Sequence, residues 1–236
     1  MAGDVLLRLE QVKKTYIMGE VTVEALKETT VDIYKGELLV VLGPSGSGKT
    51  TLLNMIGGMD RPTAGRILFG SKDLSQVNDR ELTLYRRREV GFVFQFYNLI
   101  PDLTAAENVS LAAELVDDPL PVDRLMEDIG LGDRKGHFPA QLSGGEQQRV
   151  SIARAIVKQP LFLLCDEPTG ALDYATGIKV LGLLQEICSK RGNTVIIVTH
   201  NMPVADMADR VFRMRSGEIV EITENPEPVP AERIVW

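Results

Sequence analysis

Cysteine is what this sequence has little of, and an excess of positive charge is what it lacks. Only Cys165 and Cys188 are present among 236 residues, with no metal-ligand spacing between them and no further cysteines to pair with. A secreted disulfide framework and a cysteine-based zinc site are both excluded as organising principles, and a reducing compartment fits. Lys and Arg number 26 against 33 Asp and Glu, a net charge of −7 (26 − 33). Nucleic-acid binders carry a basic footprint, so no nucleic-acid partner is expected. No run approaches the ~18 apolar residues of a membrane-spanning helix, so any service to a membrane must come by docking on a partner. The opening Met1-Ala2-Gly3-Asp4 lacks a basic n-region and an apolar h-region, and a secretory leader is not expected there. Internal repeats and low-complexity blocks are absent as well.

What is present reads as one α/β chain. Leu7, Leu9 and Val12 alternate, and strands follow at Val21–Leu26, Thr30–Tyr34 and Glu37–Leu42 with turns between them. The last of these is apolar throughout after Glu37, as befits a strand buried on both faces. A glycine-rich loop and a helix through Thr51–Ile56 come next. Helical patterns cover Ala105–Leu115, Val122–Ile129 and Gly145–Val157, punctuated by Pro101, Pro119, Pro121 and Pro139. Two more apolar strands, Leu161–Cys165 and Thr194–Val198, flank a helix over Ala175–Lys190. Apolar strands alternating with helices imply a parallel sheet, here interrupted by a helical insertion. The tail from Asn225 through Pro226, Pro228 and Pro230 is expected to lie extended on the surface.

Three motifs carry chemistry. Gly43-Pro44-Ser45-Gly46-Ser47-Gly48-Lys49-Thr50 satisfies G-x-x-x-x-G-K-[ST] between a buried strand and a helix. Such a loop closes backbone N–H groups around phosphate oxygens at a helix N-terminus. Lys49 is placed to reach the β- and γ-phosphates and the Thr50 hydroxyl to ligate Mg²⁺, with Thr51 beside it. Asp166-Glu167 ends the strand Leu161–Cys165, where parallel sheets present ligands. Asp166 suits a Mg²⁺ shell and Glu167 a general base for water. Cys165 reads as a small buried strand residue. Third, Ser143-Gly144-Gly145 opens a helix after Leu142 and before Glu146, a second anion-binding N-terminus.

Leu142-Ser143-Gly144-Gly145-Glu146 upstream of Leu164-Cys165-Asp166-Glu167-Pro168 resembles the ABC ATPases, and the resemblance runs from Tyr16 to His200 in the family's order. It implies a P-loop NTPase fold of ABC type within a single domain, 1–236. A RecA-like mixed-sheet core with an N-terminal antiparallel β subdomain would occupy 1–95 and 158–224, a helical signature subdomain 96–157, and a proline-rich tail 225–236. Residue by residue, Tyr16 matches the aromatic that stacks on adenine, and Gln95 the glutamine that senses Mg²⁺ and the membrane partner. Asp173, in Ala171-Leu172-Asp173, matches the loop that communicates across the dimer, and His200 the histidine that contacts the γ-phosphate. Ser143, Gly144 and Gly145 would close in trans on ATP held by another subunit, so the resemblance implies a homodimer sandwiching two ATP with Mg²⁺. His137 reads as a loop residue, Arg86-Arg87-Arg88 as a solvated or phosphate-independent face, and Phe92, Phe94 and Phe96 as alternating strand packing.

No heptad coiled coil and no second cassette is present, which leaves a subunit that pairs with a membrane permease. The stretches Gly91–Pro101, Leu103-Thr104-Ala105, Glu107-Asn108-Val109, Pro168–Asp173 and Leu53–Gly58 look like the macrolide-exporter and lipoprotein-releasing branch. That implies a chain peripheral on the cytoplasmic face of the cell membrane and a permease with a large extracytoplasmic domain. The branch also admits a periplasmic or membrane adaptor. Lipoprotein, macrolide or peptide-like substrates would be moved by mechanical transmission. The alternative is a regulatory clamp of cell-division type, slow in turnover, whose dimerisation is the output. Between Val109 and Leu142 the chain reads as shorter than its relatives, as if the helical lobe that receives the permease were trimmed.

Overall fold

The computed structural model describes residues 3–235, Met18 by its backbone alone. Met1 and Ala2 of the leader reading, and Trp236, lie outside them. The chain opens with β1 (Val5–Met18), β2 (Val21–Tyr34) and β3 (Leu38–Leu42), followed by α1 (Lys49–Ile56). Next come β4 (Ala64–Phe69), β5 (Lys72–Asp73), α2 (Asp79–Glu89) and β6 (Val90–Val93). Three helices follow: α3 (Ala105–Ala113), α4 (Val122–Asp128) and α5 (Gly144–Ile156). The last elements are β7 (Phe162–Asp166), α6 (Tyr174–Arg191), β8 (Thr194–Thr199), β9 (Arg210–Arg215) and β10 (Glu218–Glu224).

Two sheets result. β2-β1-β4-β5 is antiparallel, and β10-β9-β3-β8-β7-β6 is parallel except for its β9–β10 edge hairpin. The period of two along β3 divides its side chains between two cores. Leu39 and Val41 face α1 and the antiparallel sheet, joining Leu7, Leu9, Leu52, Met55, Phe162 and Phe212. Leu38, Val40 and Leu42 face α5 and α6, joining Val150, Ile152, Leu181 and Leu184. Helix α1, and with it the glycine-rich loop, is thereby held between the two sheets.

Several boundaries differ from expectation. The turn expected between Val21–Leu26 and Thr30–Tyr34 does not exist, because β2 runs unbroken for 14 residues. Its register against β1 slips around Val12 instead, and the buried Thr29 hydroxyl donates locally to the Lys27 carbonyl at 2.8 Å. The alternation of Phe92, Phe94 and Phe96 also fails as a strand. β6 stops at Val93, the Phe92 and Phe94 rings stack at 5.7 Å, and Phe96 is 75% exposed. Arg86 and Arg87 are not simply solvated, since they donate to the carbonyls of Gly58 and Leu115 and so tie α2 to its neighbours. His137 does lie in a loop.

The tail is not merely a surface strand. Ala231 and Ile234 are buried in the α5–α6 core. Gln185 on α6 clasps it by donating to the Val229 carbonyl and accepting from the Ala231 amide, both at 3.0 Å. The lobe of α3–α5, where the chain reads as shortened, still closes a core around Val109, Leu125, Met126, Ile129 and Leu131. Among the described residues no helix is long and apolar enough to cross a membrane.

Candidate functional site

The loop from Gly43 to Gly48 joins the C-terminal end of β3 to the N-terminus of α1, so it sits at the edge where parallel strands end. Two of its glycines are demanded by geometry. Gly48 is left-handed at φ 97°, and an added methyl would overlap the Ala25 carbonyl oxygen. A methyl on Gly43 would overlap the Met214 carbonyl and the Ser47 hydroxyl. Lys49, the first residue of α1, is buried and curls back over the loop, its ammonium donating to the carbonyls of Gly43 at 2.6 Å and Pro44 at 3.0 Å. Burial pulls that ammonium below the ordinary lysine range, against the opposing pull of Glu167 and Asp166.

Across the cleft, β7 delivers the acidic pair. The Thr50 hydroxyl donates to Asp166 at 3.0 Å, and burial holds that carboxyl above the ordinary aspartate range. Glu167, past the end of β7, takes a left-handed backbone at φ 48°. Its amide donates to the Val198 carbonyl at 2.9 Å, which bends the chain so that its side chain meets β8. There one carboxylate oxygen lies 2.8 Å from Nδ1 of His200, and the other accepts from the Thr199 hydroxyl at 3.1 Å. Gln95, just beyond β6, reaches the same cleft and holds its amide against Gly170, where a methyl group would come within 3.0 Å of it.

These groups face a cleft of about 830 Å³ lined by Ser45 through Thr51, Gln95, Asp166, Glu167 and His200. Loop donors, an ammonium, two carboxylates and an imidazole thus converge on one volume. That is a site for a phosphorylated ligand. A protein-family model described as "ABC transporter" matches residues 26–170. The chain belongs to the ABC transporter family.

Similarity of this ABC chain to its relatives extends over nearly all of it. The macrolide export ATP-binding/permease protein MacB of Brucella melitensis is 48% identical over 94% of this chain, which spans only 35% of MacB. The lipoprotein-releasing system ATP-binding protein LolD of a Shewanella species is 40% identical over 95% of this chain and 99% of LolD. Among solved structures, the dimeric post-hydrolysis state of the ATP-binding cassette MJ0796, bound to ADP and Pi, superposes with a TM-score of 0.85. The identity there is 40%, over 92% of this chain and 98% of that one. The expected fold, a P-loop cassette with an antiparallel and a mixed sheet, is the one observed. The ABC chain is an ATP-binding, ATP-hydrolysing transporter subunit of the branch that includes MacB and LolD.

Other predicted site residues of the ABC chain lie outside the cleft lining. Gly43 and Pro44 line a neighbouring, mostly apolar cavity of about 500 Å³ with His200, Met202, Met214 and Val220. Tyr16 turns its hydroxyl to Asp60 at 2.8 Å, while the Lys14 ammonium sits 4.9 Å from its ring centre. Ser143 is the N-cap of α5 in a full capping box with Glu146, and its hydroxyl donates to that carboxylate at 2.8 Å. Gly144 and Gly145 form the first turn of that helix, and a methyl on Gly145 would overlap Thr176. Asp173 caps α6, accepting from the Thr176 amide at 3.1 Å. Conversely, Val23, Glu24, Ala25, Ser216 and Gly217 line the cleft and were not foreseen. The Ser-Gly pair signals a turn, but only the fold shows the Gly217 amide donating to the Ser47 carbonyl at 3.0 Å.

The donor set fits ATP and Mg²⁺. Among the described residues the Ser47 hydroxyl is buried in the loop without a hydrogen-bond partner, and the Lys49 ammonium donates to the Gly43 and Pro44 carbonyls while Glu167 and Asp166 act on it through the cleft. The Thr50 and Asp166 oxygens stand together as the hard donors Mg²⁺ prefers.

Proposed function

We propose that ATP binds with its phosphates over residues 43–50, where Ser45, Gly46, Ser47 and Gly48 offer backbone donors and Lys49 moves from loop carbonyls to phosphate oxygens. Thr50 and Asp166, joined by Gln95, would hold Mg²⁺, which when bound neutralises charge on the β- and γ-phosphates. Glu167 is the general base for the attacking water. His200 fixes one of its oxygens and Thr199 the other, so the carboxylate is aimed rather than free. That tethered carboxylate beside the loop is the observation that carries the reading, because a clamp with dimerisation as its only output has no use for an oriented base. Tyr16 would stack on adenine after releasing Asp60, with Thr51 beneath it. Ser143, Gly144 and Gly145 would close on the ATP of a second copy, with Asp173 at the same interface.

On this reading the chain docks on the cytoplasmic face of a membrane permease. The names of MacB and LolD, macrolide export and lipoprotein release, favour lipoprotein, macrolide or peptide-like substrates. The permease would carry a large extracytoplasmic domain, joined or not by an adaptor, as the motif resemblance implies. Residues 96–157 would be the helical lobe that meets it. The test is Lys49→Ala with equilibrium ATP binding and steady-state hydrolysis, with and without the permease. Loss of tight binding and of hydrolysis is expected. Unchanged ATP affinity would overturn the loop assignment.

A further inference from the structure

After β6 the chain enters a segment whose backbone is forced. Tyr97 and Asn98 are both left-handed, at φ 59° and 50°, although neither is glycine. Consecutive residues in that region persist only where their surroundings hold them. The holder is Arg154, ten residues into α5. One of its terminal nitrogens donates to the Tyr97 carbonyl at 2.8 Å and the other to the Asn98 carbonyl at 2.5 Å. Among the described residues no carboxylate pairs with this guanidinium, and burial lowers it from the ordinary arginine range. Its charge is therefore committed to two backbone oxygens, a fork geometry that lysine cannot reproduce.

The same segment also packs against the other end of α5. The Tyr97 hydroxyl lies against Gly144, where a methyl group would come within 2.7 Å of it. Gly144 and Arg154 are separated by roughly 15 Å of helix, at 1.5 Å per residue. Segment 95–98 thus meets α5 at two well-separated points, hydrogen-bonded at Arg154 and in contact at Gly144, and Gln95 at its start reaches the nucleotide cleft. We propose that Arg154 is a positioning residue for ATP hydrolysis: it locks the Tyr97-Asn98 turn to α5, so that Gln95 enters the cleft in register with the signature helix. This rests on the reading of Gln95 as a Mg²⁺-sensing residue.

The experiment compares Arg154→Met, Arg154→Lys and Gln95→Ala in the full chain. The measurements are kcat and KM for ATP, the Mg²⁺ concentration for half-maximal rate, ATP affinity and amide exchange over 95–99. Arg154→Met is expected to lower kcat tenfold to a hundredfold, as misplacement by about an ångström does. ATP affinity should stay within about twofold, the Mg²⁺ requirement should rise severalfold, and exchange over 95–99 should quicken. Arg154→Lys should fall between parent and Met. Parent-like kcat and Mg²⁺ dependence in Arg154→Met, with Gln95→Ala slow, would overturn the positioning role alone. A parent-like Gln95→Ala would overturn the reading beneath it. Should Arg154→Met not fold, Arg154→Lys decides: parent-like exchange and Mg²⁺ dependence would sink the proposal.

Discussion

Alanine at Gly48 and alanine at Gly46 should have very different effects, although both glycines belong to the same loop and both are left-handed. At Gly46, with φ 76°, an added methyl meets nothing within 4 Å. The cost there is backbone strain alone, about 1–2 kcal/mol for an L-residue in that region. At Gly48, with φ 97°, the methyl overlaps the Ala25 carbonyl and stands 3.3 Å from both the Gly217 Cα and the Met214 Cε. Backbone of β2 and of the β9–β10 turn is on the far side and cannot swing away, so about 1–3 kcal/mol of overpacking is added. The sum, about 2–5 kcal/mol, is relieved by distorting the loop that must meet the phosphates. At 1.4 kcal/mol per factor of ten, ATP affinity should fall about 30-fold to several-thousandfold in Gly48→Ala and about 5- to 30-fold in Gly46→Ala. Titration calorimetry with ATP on both variants, with thermal melts to verify folding, measures the difference. Equal affinities in the two variants would refute the packing argument.

Gly91 on β6 lies against α5, where a methyl group would come within 2.6 Å of the Ala155 carbonyl oxygen. Gly91→Ala should cost about 1–3 kcal/mol and about 2–10 °C of melting temperature, whereas Gly136→Ala, with open space around it, should melt like the parent. Burial lowers Lys158 to about 8, while its ammonium donates to the Arg86 carbonyl at 2.7 Å. The unfolded chain holds that proton up to about pH 10.4, so stability should rise between about pH 8 and 10 as the buried cation discharges. The rise is at most about 3 kcal/mol by that linkage, and denaturant midpoints for parent and Lys158→Met across that range should converge as the pH climbs. Parallel curves would refute it.

The parts of the fold written in apolar runs or in obligatory glycines were legible in the sequence. β3, β7 and β8 are buried on both faces, and the loop Gly43–Thr50 needs its residues wherever it occurs. β9 escaped notice because Arg-Val-Phe-Arg-Met-Arg does not look like a strand beside the core. Its Arg210 is buried by pairing with Glu37 at 3.3 Å and lying over the Tyr34 and Phe212 rings, compensation that no local pattern reveals. Helix α2 is polar along most of its length and anchors through Tyr85, though its capping box from Asn78 to Glu81 was readable. Part of the cleft wall, Val23 to Ala25 and Ser216-Gly217, comes from β2 and from the β9–β10 turn, which carry no motif of their own. The contact between Glu167, Thr199 and His200 likewise depends on β7 and β8 being neighbours, which spacing alone does not encode.

Glu167→Gln, mixed with ATP and followed by light scattering together with phosphate release, tests the central claim most directly. The amide preserves the shape of the site and removes the base, so phosphate release should fall about 10²–10⁴-fold. The protein should meanwhile accumulate as a dimer holding two ATP. Phosphate release at the parent rate, or a chain that stays monomeric with ATP bound, would contradict the account.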